Sequence, residues 1–153
     1  MTEYAVEVLE FESIGLHRSR QHLNISDEQC TLITGPGEVG KTTFLDAMYM
    51  LLTGDIKREA VTVGEAEGWI RSVIDGIEIK RTIDGTSNKT KELLVRENGL
   101  KVQKPQEWLN RYFGGAMLRP IDLYGMAPKD RAKKVLSAIR VDTELVARML
   151  RDT

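Results

Sequence analysis

Gly35-Pro36-Gly37-Glu38-Val39-Gly40-Lys41-Thr42 fits the pattern G-x-x-x-x-G-K-[ST], the P-loop. It lies between the short apolar run "TLIT" at 31–34 and an amphipathic segment. A loop of this kind requires a strand to deliver the chain and a helix to carry it away. Phosphate groups are held by several backbone N–H groups converging at short range. Gly35 and Gly40 permit the tight turn and the close approach. The N-terminus of the following helix adds unpaired donors and partial positive charge. Lys41 is placed to reach the β and γ phosphates, the Thr42 hydroxyl to ligate Mg²⁺, and Thr43 to donate near the α-phosphate. The expected nucleotide-binding set is therefore Gly35, Pro36, Gly37, Glu38, Val39, Gly40, Lys41, Thr42 and Thr43, with Thr42 also the metal ligand. The competing reading is a Gly-rich strand-to-helix turn with no ligand.

The flanking patterns suit an α/β fold. "YAVEVLEFES" is partly alternating and rich in Val and aromatic residues, as a strand would be, and "HRSRQHLNIS" alternates as a second strand. After the loop, Phe44, Leu45, Met48, Leu51 and Leu52 recur at helical spacing on one face, and Gly54 stands where a helix C-cap belongs. "DIKREAVTVGEAEG" reads as a polar connection. "WIRSVIDG", "IEIKRTIDG" and "KELLVRENGLKV" are extended runs separated by the turn dipeptides Asp75-Gly76 and Asn98-Gly99, which predict an antiparallel meander. Pro105 and Pro128 each suit the first turn of a helix. Asp142 or Thr143 suits the N-cap of a last one, with Leu145, Val146, Met149 and Leu150 as an apolar stripe. We expect one nucleotide-binding domain over 1–153: strands, P-loop and first helix in 1–54, an antiparallel lobe in 67–103, and a helical region in 105–153.

Composition narrows the function classes. The chain has 153 residues, 41% hydrophobic and 29% charged, with a net charge of −1. That is ordinary for one soluble globular domain and gives no global electrostatic case for nucleic acid, so DNA contact would have to come from a local patch. The lone Cys30 cannot form an internal disulfide, which points to a reducing compartment. No apolar run approaches a membrane span, and the N-terminus lacks a signal-peptide pattern. A cytoplasmic location is expected.

The residues around the loop also carry a family resemblance. "ITGPGEVGKTTFLDAMYMLLTG" resembles the N-terminal head segment of SMC/RecN-like ATPases, the ATP-binding-cassette relatives of DNA repair and recombination. That stretch typically reads I-x-G-P-N-G-A-G-K-[ST]-[ST]-h-h-D-A-I. This chain departs at Gly37, Glu38 and Val39, and keeps Lys41, Thr42, Leu45, Asp46 and Ala47. "YAVEVLEFESIGLHRSRQHLNIS" is similar to the opening strands of such heads. "GEAEGWIRSVIDGIEIKRTI" is similar to the lobe that follows the first helix, with Arg81 at the place of a recurrent Arg. "NGLKVQKPQEWLNRYFGG" and "PIDLYGMAPKDRAKKVL" resemble the stretch before the coiled coil in bacterial and phage members. The resemblance implies ATP and Mg²⁺ as ligands and a role in DNA repair, recombination or genome maintenance. It implies as partner the C-terminal half of the head or a second head.

The same resemblance marks what is missing. Hydrolysis in the family needs four apolar residues ending in Asp-Glu and a signature helix beginning near S-G-G, and the sequence contains neither. "SVID" at 72–75 runs into the turn at Gly76 and is rejected. Where a Q-loop Gln is expected stand Arg119, Pro120 and Asp122. No catalytic residue is assigned, and ATPase activity is expected only on completion by a C-terminal half. Rival readings are a small self-contained P-loop kinase or GTPase, and a non-catalytic nucleotide-binding regulator. A GTPase would need an N-K-x-D base-reading motif, which is absent, and "KKVLSAIR" makes a poor kinase lid.

Glu38 places a negative charge beside the phosphates, unfavourable by Coulomb's law. A side chain pointing to solvent accommodates it, and the Gα GTPases resemble this loop with their G-x-G-E-x-G-K. His17 and His22 read as surface strand residues. Arg18 or Arg20 is a candidate adenosine contact by the resemblance. Trp69 and Trp108 read as packing residues. The basic run Lys129, Arg131, Lys133, Lys134 and Arg140 reads as a solvated helix face that could touch DNA phosphates.

Overall fold

The structure, a computed structural model, describes residues 5–25, 32–113 and 123–138. The chain falls into two compact units, Met1–Trp108 and Leu109–Thr153.

The first unit is built on period-2 patterning. Strand β1 spans Val6–Glu12, β2 Gln21–Asn24, β3 Glu67–Ile74, β4 Ile77–Asp84, β5 Lys89–Glu97 and β6 Leu100–Lys101. They form one antiparallel sheet in the order β2-β1-β3-β4-β5-β6. The meander is therefore continuous with the opening pair, because β1 pairs with β3 from Val6↔Ile74 to Glu12↔Trp69. Asp75 and Gly76 take φ 51° and 72°, and Asn98 and Gly99 take 50° and 78°. Positive φ at both central residues is what a two-residue hairpin with twisted arms requires, so both turns form where the sequence predicts them.

Register assigns the sheet's two faces. One row runs Leu9↔Ser72↔Ile79↔Val95, and the next runs Phe11↔Ile70↔Arg81↔Leu93. Phe11, Ile70, Ile79, Ile83 and Val95 are fully buried on this face. Each such aliphatic or aromatic side chain contributes about 1.5–3 kcal/mol over its exposed state. Helix α1, Lys41–Thr53, covers the face and packs on β1, β3 and β4. Its C-terminal half is buried all round, at Ala47, Tyr49, Met50, Leu51 and Leu52. The predicted stripe is thus corrected in part. Leu51 and Leu52 face inward, but Leu45 is 68% exposed, because it lies about 100° round the helix from Phe44, whose ring packs on Phe11. Gly54 caps the helix as expected, at φ 75°, with its N–H bonded to Met50 O.

The opposite face is polar and interlocked. Glu10 is nearly buried there by Arg20 at 2.6 Å, His22 at 2.7 Å and Arg71 at 3.0 Å. Arg71 continues to Glu78, and Glu78 to Arg96.

Two expectations are revised. Leu32–Thr34 belong to no strand, and Leu32 is 83% exposed. A strand exists only when another pairs with it, and among the described residues none does so here. The polar connection 55–66 is more than a surface loop, since Ala60, Val61 and Thr62 are buried and Val61 bridges to Ile14.

Helix α2, Pro105–Phe113, starts at the predicted proline. In the second unit, α3 spans Pro128–Ala138, again from the predicted proline. The stripe from Leu145 to Leu150 lies outside the described residues.

Candidate nucleotide-binding site

Residues 35–40 form a turn that delivers Gly40 to the N-cap of α1. Gly40 takes φ 84° and ψ 21°, a left-handed conformation that suits glycine. No side chain caps this helix end, and its first turn carries no acidic residue. The N–H groups of Lys41 and Thr42 and the helix's partial positive charge are thus available to an anion. Thr43 N donates to Gly40 O at 3.0 Å, closing the junction.

Lys41 is the first helical residue, and its side chain folds back over the loop. Nζ donates to Gly35 O at 2.9 Å and also to Pro36 O. The ammonium is therefore already held at the loop by carbonyls, which a phosphate oxygen could replace. Gly35 to Val39 and Thr42 are exposed, while Gly40, Lys41 and Thr43 are half-buried. The loop thus faces solvent with its backbone, its lysine and the Thr42 hydroxyl on a short stretch of chain. Glu38 adopts φ 60°, a left-handed conformation that costs a non-glycine residue about 1–2 kcal/mol.

Two residues outside the motif hold the helix that carries the loop. His17 sits in a turn after β1, where it was expected on a strand. Its Nε2 lies 3.3 Å from Gly40 O, and its ring packs edge-on to Phe11 and Phe44. Arg81, singled out only by resemblance, is 2% exposed and caps the other end of α1. It donates to Leu51 O from Nε at 3.2 Å and from Nη2 at 2.9 Å. Nη2 also donates to Gln106 Oε1, and Nη1 to Thr90 Oγ1. Gln106 Nε2 in turn reaches Leu52 O and Thr53 O, each at 3.2 Å. Burial pushes the Arg81 guanidinium down to about 10. Periodicity alone could not have revealed this role, since Arg81 occupies an inward position of β4.

The remaining candidates are engaged elsewhere. Arg18 donates to Val63 O at 3.1 Å, and Arg20 pairs with Glu10 while lying over Trp69. Trp69 also bonds Glu12 through Nε1 and has Lys80 over its ring, so it packs within the polar sheet face. His22 is on β2, as read, and bonds Glu10. Asp75 lies in the β3–β4 turn, where Oδ1 accepts from Ala5 N at 2.8 Å. Lys129 and Arg131 lie exposed on α3, and Arg131 donates to Met126 O. Cys30, Arg119, Pro120, Asp122 and Arg140 lie outside the described residues. Among the described residues no group of three or more His, Cys, Asp or Glu could hold a metal, and no helix is long and apolar enough to cross a membrane.

A family model described as an AAA domain matches residues 8–110, more than half of the chain and the whole of the loop. The chain belongs to the AAA domain family. No curated protein matches this AAA domain. Among solved structures it is similar to a chain from work on the structural biochemistry of ATP-driven dimerization and DNA-stimulated activation of SMC ATPases. The TM-score is 0.58 at 16% sequence identity, over 88% of this chain and 98% of that one. The likeness shows that this AAA domain shares the fold of that chain, a mixed α/β P-loop fold.

Proposed function

We propose that the chain binds ATP with Mg²⁺ through Gly35–Thr43, as the N-terminal part of an SMC/RecN-like ATPase head. The observation that carries this reading is the complete G-x-x-x-x-G-K-T loop. It stands at the uncapped N-terminus of α1, with Lys41 turned onto the loop, in a chain of the AAA domain family. Backbone N–H groups of the loop and of the first helical turn would hold the phosphates, and Lys41 would exchange its carbonyl partners for phosphate oxygens. The Thr42 hydroxyl would serve Mg²⁺, whose chemistry is to neutralise phosphate charge. The exposed Thr42 and the absence of first-turn acids fit that ligand.

By the same reading the whole of 1–153 works as one nucleotide-binding domain in the cytoplasm, in DNA repair, recombination or genome maintenance. Its partner would be the C-terminal half of the head or a second head, which would supply the Asp-Glu and S-G-G elements that the sequence lacks. Lys41→Ala tests the core of the proposal. Calorimetry with ATP and Mg²⁺ should show binding by the wild type and none by the variant, because the backbone alone cannot offset the phosphate charge. Equal affinities would overturn it.

A further inference from the structure

The turn between β1 and β2 is held more tightly than a connection requires. Ser13 takes φ 55° and Gly15 φ 58°. A serine persists in that left-handed region only where its surroundings impose it. Here residues 60–62 do so. Gly15 N donates to Ala60 O at 2.9 Å, and Thr62 N to Ser13 O at 3.0 Å. Thr62 Oγ1 donates to Gly15 O at 2.9 Å. The turn also closes on itself, with Ile14 and His17 exchanging backbone hydrogen bonds at 3.1 and 3.0 Å. Ser13, Ile14, Ala60, Val61 and Thr62 are all buried, so residues 13–17 and 60–62 form one hydrogen-bonded shelf.

That shelf meets the phosphate loop at two points, both at the limit of approach. A carbonyl can only accept, so the imidazole tautomer with its proton on Nε2 donates to Gly40 O. A Cβ on Gly40 would stand 2.4 Å from that nitrogen, and a Cβ on Gly15 would stand 2.9 Å from Thr43 Oγ1. The His17 ring is fixed edge-on to Phe11 at 5.5 Å and to Phe44 at 5.7 Å, and those two rings meet at 4.9 Å. The Gly40 carbonyl therefore accepts from Thr43 N within the helix and from His17 outside it. Gly40 is the joint between loop and helix, and its peptide orientation sets where the next N–H groups point.

We infer that the Ser13–His17 turn is a positioning brace for the phosphate loop, with the His17 imidazole locking the Gly40 carbonyl and Gly15 seating Thr43. The inference rests on the nucleotide-binding reading and adds to it two positioning residues outside the motif, His17 and Gly15. The test uses the full chain with His17→Phe, which keeps the ring and loses the donor, and His17→Gln, which keeps a donor and loses the ring. Amide exchange at residues 40–43 is measured without nucleotide, and ADP affinity is measured beside it. His17→Phe should retain the wild-type melting temperature while exchange at 40–43 rises about tenfold and ADP binds about five- to tenfold more weakly. His17→Gln should recover most of both losses. Wild-type exchange at 40–43 in His17→Phe would overturn the brace. So would equal losses in the two variants that follow their melting temperatures, since that marks packing alone. The exchange measurement decides the brace even in a chain that fails to bind ADP, whereas Lys41→Ala decides the nucleotide reading.

Discussion

At the scale of single residues, Glu38 and Glu10 carry negative charge in opposite circumstances. Glu38 holds a left-handed φ of 60° on an exposed loop, beside the space a phosphate would occupy. Glu38→Gly removes both the backbone strain and the charge. Part of the relief is returned through the greater freedom of glycine in the unfolded chain. We expect stability to rise by up to about 1 kcal/mol and ATP to bind several-fold tighter. Weaker binding in calorimetry would mean that the Glu38 side chain serves the site. Glu10 is instead enclosed. Burial alone would raise its carboxyl, but hydrogen bonds from His22, Arg20 and Arg71 outweigh burial and hold it at about 2, against an ordinary value of 4.5. A depressed folded-state value stabilises the fold above the unfolded value, and that gain is lost as pH falls from about 4.5 through about 2. The shift corresponds to roughly 3 kcal/mol. Urea unfolding of Glu10→Gln should show that loss at neutral pH and a flatter pH dependence below 4.5 than the wild type. Identical acid profiles would show that the cluster adds nothing.

At the scale of elements, α1 is gripped at both ends, by the loop and its brace at Gly40 and by Arg81 with Gln106 at its last carbonyls. Arg81 satisfies Leu51 O, an acceptor the helix itself leaves open, and its cation faces the negative end of the helix dipole. Arg81→Met keeps much of the volume and relieves the buried charge, but it orphans that carbonyl. The orphaned acceptor outweighs the relief, and urea unfolding should show a loss of about 2 kcal/mol. A neutral result would mean that the carbonyl finds water. The grip was only half legible in sequence. Hairpin turns, proline starts and the Gly54 cap follow from local chemistry, and each was readable because a dipeptide or one residue decides it. The roles of His17, Arg81 and Gln106 depend on partners 23, 30 and 54 residues away, a separation across which no local pattern operates. The strand expected at 31–34 does not form over the described residues 32–34, for the converse reason. An apolar run proposes a strand, and only a neighbouring strand makes one.

At the scale of the whole molecule, the proposed function turns on which groups would activate water beside the phosphate loop. No run of four apolar residues ends in Asp-Glu and no S-G-G helix start occurs anywhere in the 153 residues. Asp75, the nearest candidate carboxylate, is spent on the Ala5 N–H in a hairpin turn. Catalysis of phosphoryl transfer is mostly positioning and electrostatic stabilisation, so a loop that grips phosphate without those groups loses several orders of magnitude in rate. Phosphate release by the purified chain should stay at background in the presence of ATP and Mg²⁺. Adding a separately produced head half that carries Asp-Glu and S-G-G should raise it, and Lys41→Ala in this chain should abolish the increase. Robust turnover by the chain alone, lost in Lys41→Ala, would place a catalytic base within these residues. Leu32 at 83% and Leu45 at 68% exposure are the apolar side chains flanking the loop on either side. A completing half that pairs with the run at 32–34 would cover Leu32. Protection of the amides at 32–34 from exchange should therefore appear together with turnover, and turnover without it would mean that completion occurs on another face.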